Sequence, residues 1–402
     1  MLIVRTPTEG ELERAAEVAA IAFEMPVSEW NESYAVRLKL HGLDFAIVAE
    51  LDGCIVSSMM LIPEGMNFGD TALKSGSVAG VATIPEARRV GAAAAMMEHA
   101  VQRLKSWGAV GSPMWPFSFA YYRKFGWEMG AETRATVWPR NTEWLVETTE
   151  KIEPMAPGKP EDIISVWNVV QHHHRCSTVR TRLMWDNMLK AFAGVPEEGK
   201  PKRGGLVCKR DGKPVGYALY TVPVPVEGEP EKVLEVNELR ALDARAEVAL
   251  AKALPDIAPN EKILAHMPPH CRIRSFAKRP GDLEVNLGPL FGYRVTDPAQ
   301  IFGLMSTQAP LPSLTWSVED HLLGTKTWRV EFPGDGAQVT EVKAHPTVTC
   351  SIETFSQIAT GYLTPSVAFA AGLLRGEPRS VCAADQATAH WTAPFRSYCE
   401  TG

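Results

Sequence analysis

The segment Val81-Ala82-Thr83-Ile84-Pro85-Glu86-Ala87-Arg88-Arg89-Val90-Gly91-Ala92-Ala93-Ala94 decides how the chain is read. A β-rich run over residues 77–83 leads into it. A helical pattern follows, with Met97, Ala100, Val101 and Leu104 on one face, and ends at Gly108. Two arginines and a glycine therefore sit where a strand hands over to a helix. A helix N-terminus presents unpaired N–H groups and the positive end of the helix dipole. Gly91 lets an anion approach the backbone, the alanines keep side chains away, and Arg88 or Arg89 adds charge-assisted hydrogen bonds. The pattern predicts a diphosphate ligand. It is neither G-x-G-x-x-G nor a Walker A motif, which argues against dinucleotide and P-loop nucleotide readings.

Upstream, Thr8-Glu9-Gly10-Glu11 has the form of a capping box. Leu12, Ala15, Ala16, Ala19 and Phe23 then mark one buried helix face. Strands over 45–50 and 54–62 flank Asp52-Gly53, a hairpin signal. Downstream of the helix, a strand over 109–114 leads to Phe119-Ala120-Tyr121-Tyr122-Arg123-Lys124-Phe125-Gly126-Trp127. These elements form one α/β domain. A Pro- and Gly-rich stretch over 154–160 reads as a linker. The same outline then recurs: a helix over 161–173, strands over 206–208 and 215–222 around Asp211-Gly212, a strand over 233–239 and a helix over 243–254. Ala241-Leu242-Asp243-Ala244-Arg245-Ala246 stands in the place of the Arg-Arg-Val-Gly loop. It holds no glycine, so this half is expected to have lost the ligand. From about residue 290 short strands dominate (315–318, 327–332, 338–343, 347–352), with helices over 353–360, 365–374 and 385–393, the pattern of an α+β domain.

Composition sets outer limits. The 402 residues carry 41 Lys and Arg against 47 Asp and Glu, a net charge of −6, with 45% apolar and 22% charged residues. That length calls for two or three cores, and that apolar fraction excludes dominant disorder. The negative balance, without a basic run, argues against nucleic acid as a partner. No apolar run nears the roughly 20 residues of a membrane span, and Glu9, Glu11, Glu13 and Glu17 interrupt any signal-peptide core. A cytoplasmic protein is expected. The seven cysteines are odd in number, widely spaced and without a C-x-x-C pair, which fits reduced thiols. His172-His173-His174 would point about 100° apart on a helix and would not converge on one ion, so no metal is expected.

Val81-Ala82-Thr83, the Arg-x-x-Gly-x-Ala loop and Tyr122-Arg123-Lys124-Phe125-Gly126-Trp127 together resemble the GNAT acetyltransferases. The layout as a whole is similar to the Eis (enhanced intracellular survival) family. That resemblance implies an α/β and α+β architecture: tandem GNAT-like domains, each a mixed central sheet flanked by helices, then a sterol-carrier-like α+β domain. The catalytic domain would span 1–150, a degenerate second GNAT-like domain 151–288, and the sterol-carrier-like domain 289–402. It further implies acetyl transfer from acetyl-CoA to primary amines (aminoglycoside, polyamine or lysine) by direct attack in a ternary complex, and assembly into trimers or hexamers.

Carried over by position, main-chain groups of Val81, Ala82 and Thr83 would pair with the pantetheine arm. Arg88, Arg89, Val90, Gly91, Ala92, Ala93 and Ala94 would cradle the pyrophosphate, and Phe117 and Ser118 would line the thioester end. Tyr122 would be the general acid and the terminal carboxylate of Gly402 the general base, although many family members end in an aromatic residue instead. A phenol of pKa about 10 is close in basicity to an alkyl thiolate, so proton transfer between them is nearly balanced. On pattern alone Tyr122 reads equally as a core tyrosine, and it is the resemblance that selects the acid. A lipid or sterol carrier acting through the last domain is the alternative function; it has no need of the arginine loop or of Tyr122.

Overall fold

Two turns show how local sequence shapes both halves of the chain. Asp52 and Gly53 have φ of 50° and 87°, and Asp211 and Gly212 have φ of 50° and 75°. Positive φ at both central residues is what a tight hairpin turn matching the strand twist requires. The first turn joins strands Ala46–Leu51 and Cys54–Phe68; the second joins Lys202–Arg210 and Lys213–Val222. The computed structural model describes residues 1–156, 158–193, 199–224, 233–258, 261–334, 336–397 and 399. Pro157, within the stretch read as a linker, lies outside the described residues.

The chain divides into two compact units. One comprises Met1–Met66, Ala72–Gly130 and Phe291–Trp391; the other comprises Asn67–Thr71, Ala131–Leu290 and Thr392–Gly402. In the first unit the strand order is Leu2–Arg5, Ala46–Leu51, Cys54–Phe68, Thr71–Thr83, Gly111–Met114 and then the end of Glu284–Val295. Thr71–Thr83 and Gly111–Met114 run parallel; the rest of this path that is resolved by register is antiparallel. Helix Ala92–Ser106 packs Met96, Met97, Ala100, Val101 and Leu104 against Ile47, Met59, Leu61 and Val78. Helix Leu12–Phe23 covers a second core with Ala15, Ala16 and Ala19. The capping box at Thr8 and Glu11 is present and opens the 3-10 turn that leads into this helix.

The same unit contains a five-stranded sheet in the order Gln338–Glu341, Lys326–Glu331, Leu314–Glu319, Val348–Ser351, Leu374–Gly376. Helix Ile352–Thr360 packs on it. Phe302, Trp316, Trp328 and Phe355 fill the interior with ring centroids 4.8–5.8 Å apart.

In the second unit, Lys262–Met267 lies between Glu128–Pro139, antiparallel, and Val233–Ala241, parallel; Lys213–Val222, Lys202–Arg210 and Lys151–Pro154 continue the sheet. Its core holds a fully buried charge cluster. Glu238 accepts from Arg180 at 3.0 and 2.6 Å and from the hydroxyls of Tyr217 and Ser397. The Arg180 guanidinium lies 3.6 Å from the Trp167 ring centroid.

Two helical expectations are corrected. The helix expected over 365–374 is Pro365–Ala370, with Leu374 opening the strand Leu374–Gly376. The last helix runs Pro378–Thr388 rather than over 385–393, because Pro378 in its first turn starts it earlier. Helices Val27–His41 and Arg182–Ala193 were not anticipated. Val27–His41 buries only Tyr34 of its 15 residues and so carries almost no amphipathic signal. Among the described residues no helix is long and apolar enough to cross a membrane. All seven cysteines are free thiols, and among the described residues no group of three or more His, Cys, Asp or Glu is placed to hold a metal ion.

Candidate active site

The parallel pair Thr71–Thr83 and Gly111–Met114 is in register from Ser75↔Gly111 to Val78↔Met114. Beyond Val78 the register ends, and Val81, Ala82 and Thr83 face that side without a partner strand among the described residues. Main-chain groups there are free to pair with an extended ligand, much as a strand would. Ala82 is buried. The Thr83 hydroxyl is 2.6 Å from that of Ser57.

The chain then turns through Pro85–Ala87 into the arginine loop. Arg89 has φ of 70° and Gly91 has φ of 87°, two left-handed residues within three positions. Gly91 is the N-cap of Ala92–Ser106, and no side chain caps that helix. A Cβ on Gly91 would meet nothing within 4 Å, so the approach to the helix end is open. Arg88, Arg89 and Val90 are exposed, Ala92 is buried, and Ala93 and Ala94 are half-buried. A 15-residue helix whose first N–H groups face an uncapped, arginine-flanked opening has the electrostatics to seat an anion.

Past Met114 comes an aromatic group. Ser118 caps the short helix Phe119–Tyr122, its hydroxyl accepting from the Tyr121 N–H at 3.3 Å. Phe117 is 77% exposed, stacks on Tyr121 at 5.8 Å and meets Tyr122 edge-on at 5.4 Å. Tyr122 itself is 3% exposed. Burial, with the neighbouring Tyr121 phenol, pushes its pKa well above the usual tyrosine value. The phenol therefore holds its proton through and beyond the neutral range. Tyr121 is half-buried and shifted upward by burial alone.

The first unit thus contains each predicted site residue from Val81 to Tyr122. Gly402 lies outside the described residues. Sequence reading missed what stands behind the Tyr122 loop. Arg294 and Asp320, both buried, bond to that loop or to each other. Nothing local marked them, because they lie far along the chain from the motif.

Three family models match the chain. Residues 3–130 match an acetyltransferase (GNAT) domain, residues 176–294 a second acetyltransferase (GNAT) domain, and residues 304–397 a sterol carrier protein domain. The chain is 24% identical over 295 residues to an uncharacterized N-acetyltransferase of Streptomyces avermitilis, with 70% of each covered. Solved structures share the fold. A GCN5-related N-acetyltransferase from Anabaena variabilis superposes with a TM-score of 0.85 at 15% identity over 98% of this chain and 99% of its own. Eis1 from Mycobacterium abscessus gives 0.80 at 18% identity over 98% and 99%. A probable N-acyltransferase from Enterococcus faecalis gives 0.82 at 17% over 99% of each chain. The chain is an enzyme of the GNAT acetyltransferase class. It carries two GNAT domains followed by a sterol-carrier-type domain. Such domains imply acetyl-CoA as cosubstrate, and the open, uncapped helix end beside Arg88 and Arg89 fits its diphosphate.

Proposed function

We propose that this chain transfers an acetyl group from acetyl-CoA directly to a primary amine of an aminoglycoside, a polyamine or a lysine side chain, as an Eis-type N-acetyltransferase. The observation that carries the reading is the pairing, in one unit, of an open anion seat at Gly91 with a buried, protonated tyrosine on the next loop. The fold it shares with Eis1 of Mycobacterium abscessus is consistent with that assignment.

Acetyl-CoA supplies the thioester. Arg88, Arg89 and the N–H groups from Val90 to Ala94 hold its diphosphate, and the open edge at Val81, Ala82 and Thr83 aligns its arm. Phe117 and Ser118 border the acyl end. Tyr122 delivers a proton from its phenolic oxygen to the departing thiolate. Burial keeps the phenol protonated but also makes it a weaker acid than a free phenol, so the transfer is less balanced than for a phenol of pKa about 10. The general base is assigned to the carboxylate of Gly402 through family resemblance. The active species is expected to be a trimer or hexamer, which light scattering coupled to size exclusion would establish.

A second reading, lipid or sterol carriage, draws on the match of residues 304–397 to a sterol carrier protein domain. The interior beneath that sheet is already occupied by Phe302, Trp316 and Phe355, which favours the enzyme. Release of free thiol from acetyl-CoA, followed against spermidine, kanamycin and a lysine peptide, tests the proposal. Amine-dependent release with at least one of them supports it; release no faster than acetyl-CoA hydrolysis with all three overturns it.

A further inference from the structure

The strand Glu284–Val295 and the turn after Leu314–Glu319 contribute a buried ion pair that holds the Tyr122 loop from behind. Arg294 is fully buried and uses its whole fork. Nε donates to the Phe125 carbonyl at 2.7 Å, Nη1 to the Val295 carbonyl at 2.8 Å, and Nη2 to both carboxylate oxygens of Asp320 at 2.9 Å. Its guanidinium also lies 5.8 Å from the Trp127 ring centroid. Asp320 in turn accepts from the N–H groups of Leu322 and Leu323 at 2.9 and 3.0 Å. Leu322 and Leu323 pack against the core cluster that contains Tyr122 and Phe125. The adjoining His321 ring nitrogen lies 2.8 Å from the Lys124 carbonyl.

Gly126 shows how close the approach is. It has φ of 89°, and a Cβ there would come within 2.8 Å of Arg294 Nε and 3.1 Å of Ile352. The loop that carries the phenol is thus gripped at Lys124, Phe125 and Gly126 by residues that belong, in sequence, to the last third of the chain.

We propose that Arg294 and Asp320 are positioning residues for the acetyl-transfer reaction. They fix the 122–127 loop so that the Tyr122 hydroxyl is held at the thioester end of the site, which makes the C-terminal segment a working part of the catalytic apparatus. The proposal rests on the reading of Tyr122 as the acid. A general acid needs its proton at the reacting atom, and a misplacement of about 1 Å costs up to roughly 100-fold in rate. Neither Arg294 nor Asp320 reaches the arginine loop, so acetyl-CoA affinity has no stake in the pair.

Removing one partner would strand a buried charge and unfold part of the core, so the informative variant removes both: Arg294→Met with Asp320→Leu. Apolar replacement of a whole buried pair is often tolerated by the fold. Three measurements apply. The first is steady-state kinetics on the amines named above. The second is hydrogen–deuterium exchange of the 119–127 peptide, which needs no substrate. The third is the same kinetics on Tyr122→Phe. The expected result is a folded double variant whose kcat falls roughly 10- to 100-fold with KM for acetyl-CoA unchanged within about twofold. Amides 123–127 should exchange faster while the 92–106 helix stays protected. Asp320→Glu, which keeps the charge pair, should recover part of the rate. Unchanged exchange and unchanged kcat in the folded double variant overturn the positioning role. A Tyr122→Phe protein of full activity overturns the acid assignment instead, whatever the double variant does.

Discussion

The helix Ala92–Ser106 begins at Gly91, which offers no side chain to its first turn. The helix Ala244–Ala253 begins at Asp243, whose carboxylate accepts from the Ala246 N–H at 3.0 Å. Arg210 holds that carboxylate through contacts at 2.8 and 3.1 Å and is chiefly responsible for keeping it below the usual aspartate range. Both helices follow a strand in the corresponding place of a GNAT domain. In one, the positive helix end is left for a ligand; in the other, the protein supplies its own anion and its own counter-cation. An intramolecular carboxylate is present at far higher effective concentration than any solute, so a diphosphate would have to displace it from the capped helix end. The second half keeps its electrostatics internal elsewhere too, around Glu238.

The comparison can be pressed at four points. The largest effect is expected in the first half, where Tyr122→Phe should lower kcat roughly 10²–10⁴-fold with little change in acetyl-CoA affinity. Tyr121→Phe should be much milder. Steady-state rates on both variants locate the proton donor, and exchanged behaviours would move it by one residue.

Next is the second half's ion cluster. Glu238→Gln leaves Arg180 short of its buried partner and should destabilise the fold by about 3–5 kcal/mol. Burial would raise the Glu238 pKa, but Arg180 and Arg240 outweigh it and bring it from 4.5 down to about 2. A depressed carboxylate stabilises fully above its unfolded pKa. The wild-type advantage should therefore hold at neutral pH and shrink as pH falls from about 4.5 toward 2. Urea melts of both proteins at pH 6 and pH 3 test this; a constant gap would refute it.

Third, Gly91→Asp gives the first helix the start of the second. Coenzyme A affinity by calorimetry should fall roughly 100-fold or more, with the fold intact. The parent should bind one equivalent per chain, and two would break the comparison outright. The smallest effect belongs to Asp243→Ala, which removes a cap worth about 1 kcal/mol. It should lower thermal stability slightly and create no second coenzyme A site, because no arginine loop stands there.

Much of this was legible in the chain itself. Strand, arginine loop and helix follow one another from 71 to 106 because period-2 and period-3.6 patterns meet at Gly91, and both Asp-Gly hairpins fold as their turn chemistry requires. The cap at Asp243 escapes the sequence reading, which weighs that segment only by its missing glycine and starts the helix at 243 itself. The site residues from Val81 to Tyr122 stood together because they come from one continuous stretch. What stayed hidden came from distance or from weak amphipathicity. Arg294 and Asp320 are remote in sequence from the loop they hold, and nothing about an arginine in a strand announces its acceptor. Helix Val27–His41 buries a single residue, so no stripe betrays it.

The hydrogen bond from Arg294 to Phe125 spans 169 positions of sequence, and that separation has a consequence for biosynthesis. At about 5–20 residues per second, roughly ten to thirty seconds pass between translation of the phenol loop and translation of the arginine that grips it. During that interval the nascent first domain lacks both the brace and the strand Glu284–Val295 that pairs with Gly111–Met114. A ribosome-stalled or truncated product ending near residue 150 would therefore be a domain without its brace and with an unpaired sheet edge at Gly111–Met114.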